Sequence, residues 1–253
     1  MIWVTGDCHG DWKRFSRDVF FEQDTMTKED YVIVCGDFGI WHDNTTEWRA
    51  LNELNERPFT TLFVDGNHEN FDRLYSDEFP IAKFHGGWVH KVRDSVLHLK
   101  RGNVYELCGK KIFAFGGARS HDIRDGIVEP TDYGSDDDMY DAIKKYRSMG
   151  FQFRVNHSSW WSQEMPNEEE MEYGLKTLAD NDYKVDYIIT HCCPQEIASI
   201  FSFGEFEPDK LTTYFNKVSR VTDFRKWFFG HYHDNRMILD KYIMLYDQII
   251  RIV

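Results

Sequence analysis

Gly66-Asn67-His68-Glu69 is the most informative stretch of the sequence, and it comes just after an apolar run over residues 59–64. An apolar run that ends at a Gly is typical of a buried strand followed by a tight loop. Other apolar runs lead in the same way into loops that contain Asp or His: Gly6-Asp7-Cys8-His9-Gly10, Gly36-Asp37-Phe38-Gly39, Thr190-His191 and Gly230-His231-Tyr232-His233. Each of these predicted strand ends therefore delivers a side chain that is able to bind a metal.

The spacing of the first three loops indicates how they come together. Asp7, Asp37 and Asn67 are thirty residues apart, which is about the length of one strand-helix-strand unit. Parallel strands place their carboxyl ends at one edge of a sheet, and that edge is where open α/β sheets bind ligands. A Gly before each ligand allows a sharp turn and adds no side chain to the site. We therefore expect a β-α-β-α-β unit with a metal site at this edge.

In chain order the loops read Asp-x-His, Gly-Asp, Gly-Asn-His-Glu, a lone His after a strand, and Gly-His-x-His, and they run from Asp7 to His233. This order resembles the signature of the calcineurin-like metallophosphoesterase superfamily, and the whole chain most resembles its bacterial and phage branch. The resemblance implies an α/β fold. Its core would be a β-sandwich of two mixed sheets flanked by helices, with the metal site at the carboxyl ends of the strands.

The resemblance also implies two divalent metal ions bound by seven side chains. These would be Asp7, His9 and His233 at one ion, Asn67, His191 and His231 at the other, and Asp37 as a bridge between them. Oxygen and imidazole ligands without thiolate suit Mn²⁺, Fe or Zn²⁺, and Mn²⁺ is our expectation. Two such ions, about 3.5 to 4 Å apart, can share a hydroxide that attacks a phosphoryl group in line.

His68 directly follows the ligand Asn67 and is expected to lie beside the metals without binding them. It is similar to the family's histidine that stabilises or protonates the leaving oxygen, a role suited to a group that titrates near neutral pH. A structural histidine is the alternative. His68 and the bridging Asp37 are therefore the predicted catalytic residues.

The second loop departs from one branch of the family. In the phosphoprotein phosphatases, an Asp and an Arg follow the bridging Asp by three and four residues, but Ile40 and Trp41 stand there in this chain. His42 and Asp43 are alternatives for these roles, yet each is more simply a loop residue. A protein phosphatase is therefore disfavoured. A small-molecule or nucleotide phosphoester, either a monoester or a diester, is the expected substrate.

Composition limits the other classes of function. The chain has 30 basic and 43 acidic residues, for a net charge of −13, which disfavours binding to extended nucleic acid. A nuclease with the same dimetal site nevertheless remains an alternative. A non-catalytic binding protein is a further alternative, but such members typically lose ligands, whereas every expected ligand is present here. The sequence does not indicate an oligomeric state.

Several features indicate a cytoplasmic protein. The five cysteines are an odd number without a Cys-x-x-Cys pair, which fits free thiols in a reducing compartment. The segment Met1–Thr5 leads straight into the first ligand loop, so we expect no cleaved signal peptide. No apolar run approaches the roughly 20 residues that are needed to cross a bilayer, so we expect no membrane association.

At 253 residues the chain is long enough for a single α/β domain, and we expect one domain over residues 1–253. Residues 117–165 lack a clear pattern and are expected to form an irregular cover or insertion. Arg119 and His121 follow a predicted strand that leads into this segment. They are candidate substrate-binding residues because Arg suits phosphate recognition, although a surface role is equally compatible with the sequence.

Hydrophobic periodicity predicts the remaining elements. A helix is expected over Asp11–Phe21, with Trp12, Phe15, Val19 and Phe20 toward the sheet, and another through Asn55 that Thr45 or Thr46 would cap. Short apolar pieces between Trp88 and Phe115 are expected to pair as hairpins of a second sheet, which the β-rich ending would complete. Helices are also expected after Asn167, with Glu168, Glu169 and Glu170 in the first turn, and over 211–218.

Overall fold

The computed structural model describes residues 1–253, which form fifteen strands and six α-helices. The strands are β1 Ile2–Thr5, β2 Tyr31–Val34, β3 Thr60–Phe63, β4 Ile81–Phe84, β5 Gly87–Arg93, β6 Val96–Leu99, β7 Asn103–Leu107, β8 Lys110–Phe115, β9 Ile127–Val128, β10 Arg154–Val155, β11 Tyr187–Thr190, β12 Lys226–Phe229, β13 Arg236–Ile238, β14 Tyr242–Met244 and β15 Ile249–Arg251. The helices are α1 Thr45–Asn55, α2 Phe71–Leu74, α3 Asp136–Ser148, α4 Glu168–Asp180, α5 Gln195–Ser202 and α6 Lys210–Val221.

Most of the strands form two mixed sheets. The first has the order β15-β1-β2-β3-β6-β5-β4, with β1, β2, β3 and β6 parallel and the other three strands antiparallel to their neighbours. The second has the order β13-β14-β12-β11-β8-β7, in which only β13 and β7 are antiparallel. Together with the flanking helices, the two sheets confirm the predicted fold class.

The core between the sheets follows from side-chain alternation along the strands. In β1, Ile2 and Val4 pack toward the second sheet, whereas Trp3 between them packs on the outer side. In the second sheet, the neighbours Ile188 and Ile189 divide in the same way between the outer and inner faces. Because both faces of these strands are covered, their residues are buried throughout, which is typical of parallel sheets.

The pieces between Trp88 and Phe115 do not all belong to the second sheet, so that part of the prediction is wrong. β5 and β6 extend the first sheet, where β6 pairs in parallel with β3, and only β7 and β8 form the predicted hairpin in the second sheet. All four residues of β6 are buried, which suits an interior strand covered on both faces. The β-rich ending divides similarly, since β15 pairs with β1 in the first sheet.

The helix predicted over Asp11–Phe21 is also wrong, because this segment contains only a short 3₁₀ turn at Lys13–Phe15, and a second, Phe21–Thr25, begins at its last residue. The amide of Gln23 donates to the carbonyls of Phe15 and Phe20, which takes acceptors that a helix would use. Three of the four expected apolar residues, Trp12, Phe15 and Phe20, are buried, whereas Val19 is 61% exposed.

The other predicted helices form, with one difference at a cap. The side chain of Asn44, rather than Thr45 or Thr46, accepts from the backbone at the start of α1. α4 begins with a capping box between Asn167 and Glu170, as its acidic first turn indicates. No helix of the chain combines the length and the apolar character that spanning a bilayer requires.

Residues 117–165 are more regular than expected. They contain α3, whose first turn is the acidic run 136–138, and the two-stranded parallel sheet of β9 and β10. Val128, Ile143 and Val155 form a small core of their own within the segment. β10 places Arg154 beside the ligand loops, as described below.

Candidate metal centre

The carboxyl ends of β1, β2 and β3 lie side by side in the first sheet, and those of β11 and β12 lie side by side in the second. All seven sequence-predicted ligand residues are in the loops that follow these strands. The loops are hydrogen-bonded to one another. Asp37 Oδ1 accepts from the His68 amide at 2.8 Å, and Asp7 Oδ1 accepts from the His231 amide at 3.0 Å.

One set of ligand atoms belongs to Asp7, His9, Asp37 and His233, and these atoms all lie within 4.8 Å of one another. His233 Nε2 is 3.1 Å from both Asp7 Oδ2 and His9 Nε2. Ligands bound to one cation at about 2.1 Å and at right angles to one another lie about 3 Å apart. These separations are therefore compatible with ligands that share a cation.

A second set contains Asn67, His191 and Asp37. His191 Nε2 lies 3.2 Å from Asn67 Oδ1 and 3.3 Å from Asp37 Oδ1. The ring of His231 packs against His191 with centroids 4.9 Å apart, and its Nδ1 makes no hydrogen bond to protein. Asp37 thus faces both sets, with Oδ2 toward His9 and Oδ1 toward His191.

The electrostatics of the site fit divalent cations. Asp7 and Asp37 are 0% and 1% exposed, and only histidines lie within ion-pair distance of their side chains. Burial by itself lowers the pKa of His191, but the carboxylates of Asp37 and Asp7 outweigh it and raise this pKa to about 10. Two buried carboxylates without Lys or Arg are costly unless a cation neutralises them. The oxygen and imidazole donors present are those that Mn²⁺, Fe and Zn²⁺ accept.

Neighbouring groups orient the ligands. His191 Nδ1 lies 2.7 Å from the Cys35 carbonyl and donates to it, which leaves the Nε2 lone pair directed at the site. The Asn67 amide nitrogen donates to Ser120 Oγ at 3.3 Å, and Ser120 donates to the buried carboxylate of Glu164. This series of hydrogen bonds directs Asn67 Oδ1 toward His191. Neither Ser120 nor Glu164 was identified from the sequence, because neither lies in a recognisable motif.

The backbone of the ligand loops is strained. Four of the candidate ligand residues have left-handed φ angles: His9 at 49°, Asp37 at 44°, His231 at 70° and His233 at 50°. Each such residue costs of order 1–3 kcal/mol and persists only where the surroundings enforce it. The carboxylate of Glu69 provides part of that enforcement, since it accepts from the amides of Phe38, Gly39 and Ile40 just after Asp37.

The glycines of the loops leave room for the ligands. A Cβ at Gly36 would lie 2.2 Å from His191 Nδ1, one at Gly66 would lie 2.0 Å from Asp37 Oδ1, and one at Gly230 would lie 2.0 Å from Asp7 Oδ1. These distances are far below van der Waals contact. The expectation that Gly keeps side chains out of the site therefore has a direct geometric basis.

His68 lies beside the ligands, with its ring edge-on to His9 at a centroid distance of 5.2 Å. Burial lowers the pKa of His68, and the nearby Arg154 lowers it further, while Asp37 acts in the opposite direction. A cavity of about 360 Å³ opens beside His68, with Trp12 and Trp41 among its lining residues. The sequence did not identify Trp41 as part of a cavity.

Of the two candidate substrate-binding residues, His121 lies in contact with the site and Arg119 lies at its margin. His121 Nε2 is 3.2 Å from His231 Nε2, and its ring stacks on Phe206. Arg119 is exposed and lines a second cavity, of about 440 Å³, together with His121 and Phe206. The guanidinium in contact with His68 is instead that of Arg154, for which the sequence offered no motif.

A sequence profile described as calcineurin-like phosphoesterase matches residues 1–235. Since this match covers most of the 253 residues, the chain belongs to the calcineurin-like phosphoesterase family. It is accordingly a phosphoric ester hydrolase of a family that uses divalent metals, in agreement with the donor set at its strand ends.

Known relatives include lariat debranching enzymes. The chain is 28% identical to lariat debranching enzyme A of Xenopus laevis over 152 residues, which are 53% of this chain and 27% of the relative. It is also 28% identical to the Homo sapiens lariat debranching enzyme over 149 residues, or 52% of this chain and 26% of the relative. The matches thus span about a quarter of each relative's length.

Among solved structures, phosphopantetheinyl hydrolase from Mycobacterium tuberculosis aligns with 97% of this chain and 89% of its own, at a TM-score of 0.39 and 15% identity. A similarity at this level does not establish a shared substrate.

Proposed function

We propose that this protein hydrolyses a phosphate mono- or diester of a small-molecule or nucleotide substrate at a dinuclear metal centre. Asp7, His9 and His233 would hold one cation, Asn67, His191 and His231 would hold the other, and Asp37 would bridge them. The observation that carries the proposal is the position of Asp37, because its two carboxylate oxygens face different sets of ligand atoms.

The cations, when bound, would supply Lewis-acid activation of a water nucleophile and neutralise charge on the phosphoryl group. The protein's own contribution is to hold the ligands in place through the loop hydrogen bonds and to exclude competing side chains with Gly36, Gly66 and Gly230. We propose Mn²⁺ as the native metal, with Fe or Zn²⁺ as alternatives that the same donors accept.

We propose that His68 assists departure of the leaving oxygen. Its imidazole lies next to His9 and belongs to neither set of proposed ligand atoms, so proton exchange with substrate would not compete with metal binding. The adjoining cavity of about 360 Å³ falls in the range of small-molecule sites, and Trp12 and Trp41 suit a flat organic group. These features support a small or nucleotide substrate rather than a folded protein.

The proposal is tested by metal-dependent hydrolysis of two chromogenic esters. Purified protein loaded with Mn²⁺ is assayed on bis-p-nitrophenyl phosphate and on p-nitrophenyl phosphate, with Asp37→Asn as the control for contaminating activity. We expect Mn²⁺-dependent turnover that Asp37→Asn abolishes, and the preferred ester would assign the substrate class. Turnover that is equal in the wild type and Asp37→Asn, or absent with Mn²⁺, Fe²⁺ and Zn²⁺ alike, would contradict the proposal.

A second candidate function is cleavage of a phosphodiester in a branched nucleic acid. The debranching enzymes among the relatives favour it, whereas the net charge of −13 disfavours an extended nucleic-acid contact. Comparing a branched with a linear oligonucleotide at several salt concentrations separates the two functions. Preference for the branched substrate, with affinity falling steeply with salt, would favour this second function.

A further inference from the structure

We propose that Arg154 binds the phosphoryl oxygens of the substrate next to His68. This inference rests on the proposed function and adds a specific phosphate-binding residue to it. Arg154 belongs to β10, within residues 117–165, and not to any of the ligand loops. Its guanidinium nevertheless reaches the site, with Nη1 3.4 Å from His68 Nδ1 and Nη2 3.3 Å from His68 Nε2.

The guanidinium is fixed on the side away from His68. Nε donates to both carboxylate oxygens of Asp122 at 2.9 Å, and Nη2 lies 2.8 Å from Asp122 Oδ2. Nη1 donates to the Ser159 carbonyl at 3.1 Å. The side chain is only 15% exposed, so these partners hold it in one orientation. Little conformational entropy would therefore be lost when it binds an anion.

The side facing His68 is only partly satisfied by protein. A guanidinium has five N–H donors. The Nε–H is shared between the two Asp122 oxygens, one Nη1–H goes to the Ser159 carbonyl, and Nη2 lies within ion-pair distance of Asp122. One donor on Nη1 and one on Nη2 face the two ring nitrogens of His68. A neutral imidazole offers a single acceptor nitrogen and a protonated one offers none, so at least one donor lacks an acceptor.

An oxyanion would supply the missing acceptors. Two parallel N–H groups match two oxygens of a phosphoryl group, which Arg binds bidentately. No other Lys or Arg side chain hydrogen-bonds to His68 or to the side chain of a proposed metal ligand. Arg154 is therefore a fixed cation beside His68 that is available to bind an anionic substrate.

The inference is tested by the affinity of inorganic phosphate for the Mn²⁺-loaded protein, measured calorimetrically. Wild type is compared with Arg154→Ala, Arg154→Lys and the control Arg147→Ala, which removes an exposed arginine of α3 in the same segment. We expect Arg154→Ala to weaken phosphate binding about 10- to 100-fold, Arg154→Lys to recover part of the loss, and the control to match wild type.

Manganese content and thermal unfolding are measured on each variant to confirm that it is folded and loaded. Phosphate affinity within about twofold of wild type in metal-loaded Arg154→Ala would overturn the inference, since an arginine that only supports His68 would change turnover but not phosphate binding. This readout does not depend on catalysis. Failure of the wild type to hydrolyse any ester would contradict the proposed function while leaving the test of Arg154 decisive.

Discussion

Asn67 illustrates how neighbouring side chains orient a proposed ligand. Its amide nitrogen donates to Ser120, which donates in turn to Glu164. These hydrogen bonds fix the side chain in the rotamer whose oxygen faces His191. Arg154 is fixed in the same manner by Asp122 and Ser159. In both cases the orientation of a proposed functional side chain depends on neighbours that lie in no recognisable sequence motif.

At the same scale, His68→Ala is expected to lower kcat by about 100- to 10,000-fold while both cations remain bound, because His68 lies outside the ligand sets. Turnover of the chromogenic esters and metal content by mass spectrometry are the measurements. His85→Ala, at an exposed histidine remote from the ligand loops, serves as the control. Loss of metal together with activity would show that His68 is a ligand or a structural support.

Thiol accessibility is also a property of single residues. Cys8, Cys35, Cys192 and Cys193 are at most 3% exposed, and only Cys108 is exposed. Burial raises the pKa of the Cys8 thiol to about 12, which further suppresses its reactivity. Titration with Ellman's reagent is expected to detect one thiol in the native protein and five in denaturant. More than one fast-reacting native thiol would contradict this burial.

Among the elements, the strand-to-loop junctions are the most sensitive to substitution. Gly66→Ala is expected to weaken Mn²⁺ binding about 10- to 100-fold, since the new Cβ would lie 2.0 Å from Asp37 Oδ1 and would displace that carboxylate. Calorimetric titration of the metal-free protein measures this effect.

The matched control for the junction is Gly134→Ala, where the nearest atom to a new Cβ is Asp138 Oδ2 at 3.5 Å. This variant is expected to bind Mn²⁺ as the wild type does. Equal affinities in all three proteins would mean that the loop after β3 relaxes without moving Asp37.

For the whole molecule, Arg101 joins parts that are far apart in the chain. It is buried, pairs with the buried Asp65 at 2.5 Å, donates to Glu170 of α4 and also to the Gln163 carbonyl of the segment 117–165. Arg101→Met is expected to lower the free energy of unfolding by about 3–5 kcal/mol, because Asp65 would stay buried with only His98 beside it.

Urea denaturation of the metal-free protein measures this loss. The control is Arg220→Met, which removes an exposed partner of Glu196 and is expected to cost less than about 1 kcal/mol. Similar midpoints for the two variants would show that the Arg101 network adds little to the packing of the sheets.

The fold class was predictable from the residues, and so was the position of the proposed ligand residues and loop glycines at strand ends. Their determinants are local: a strand ends, a Gly permits the turn, and a ligand follows. Strands of this kind must then share one edge in a parallel sheet. The helix start at residue 168 was predicted correctly and that at residue 45 to within one or two residues, since polar caps act on adjacent amides.

Three-dimensional packing was required for the rest. β6 belongs to the first sheet because it pairs with β3. The segment after Asp11 forms no α-helix, because the Gln23 amide donates to carbonyls that a helix would use as acceptors. Arg154 contacts His68 although the two residues are 86 positions apart in the sequence. Such partners are selected by burial and hydrogen bonding between distant segments, and no local pattern of residues records those contacts.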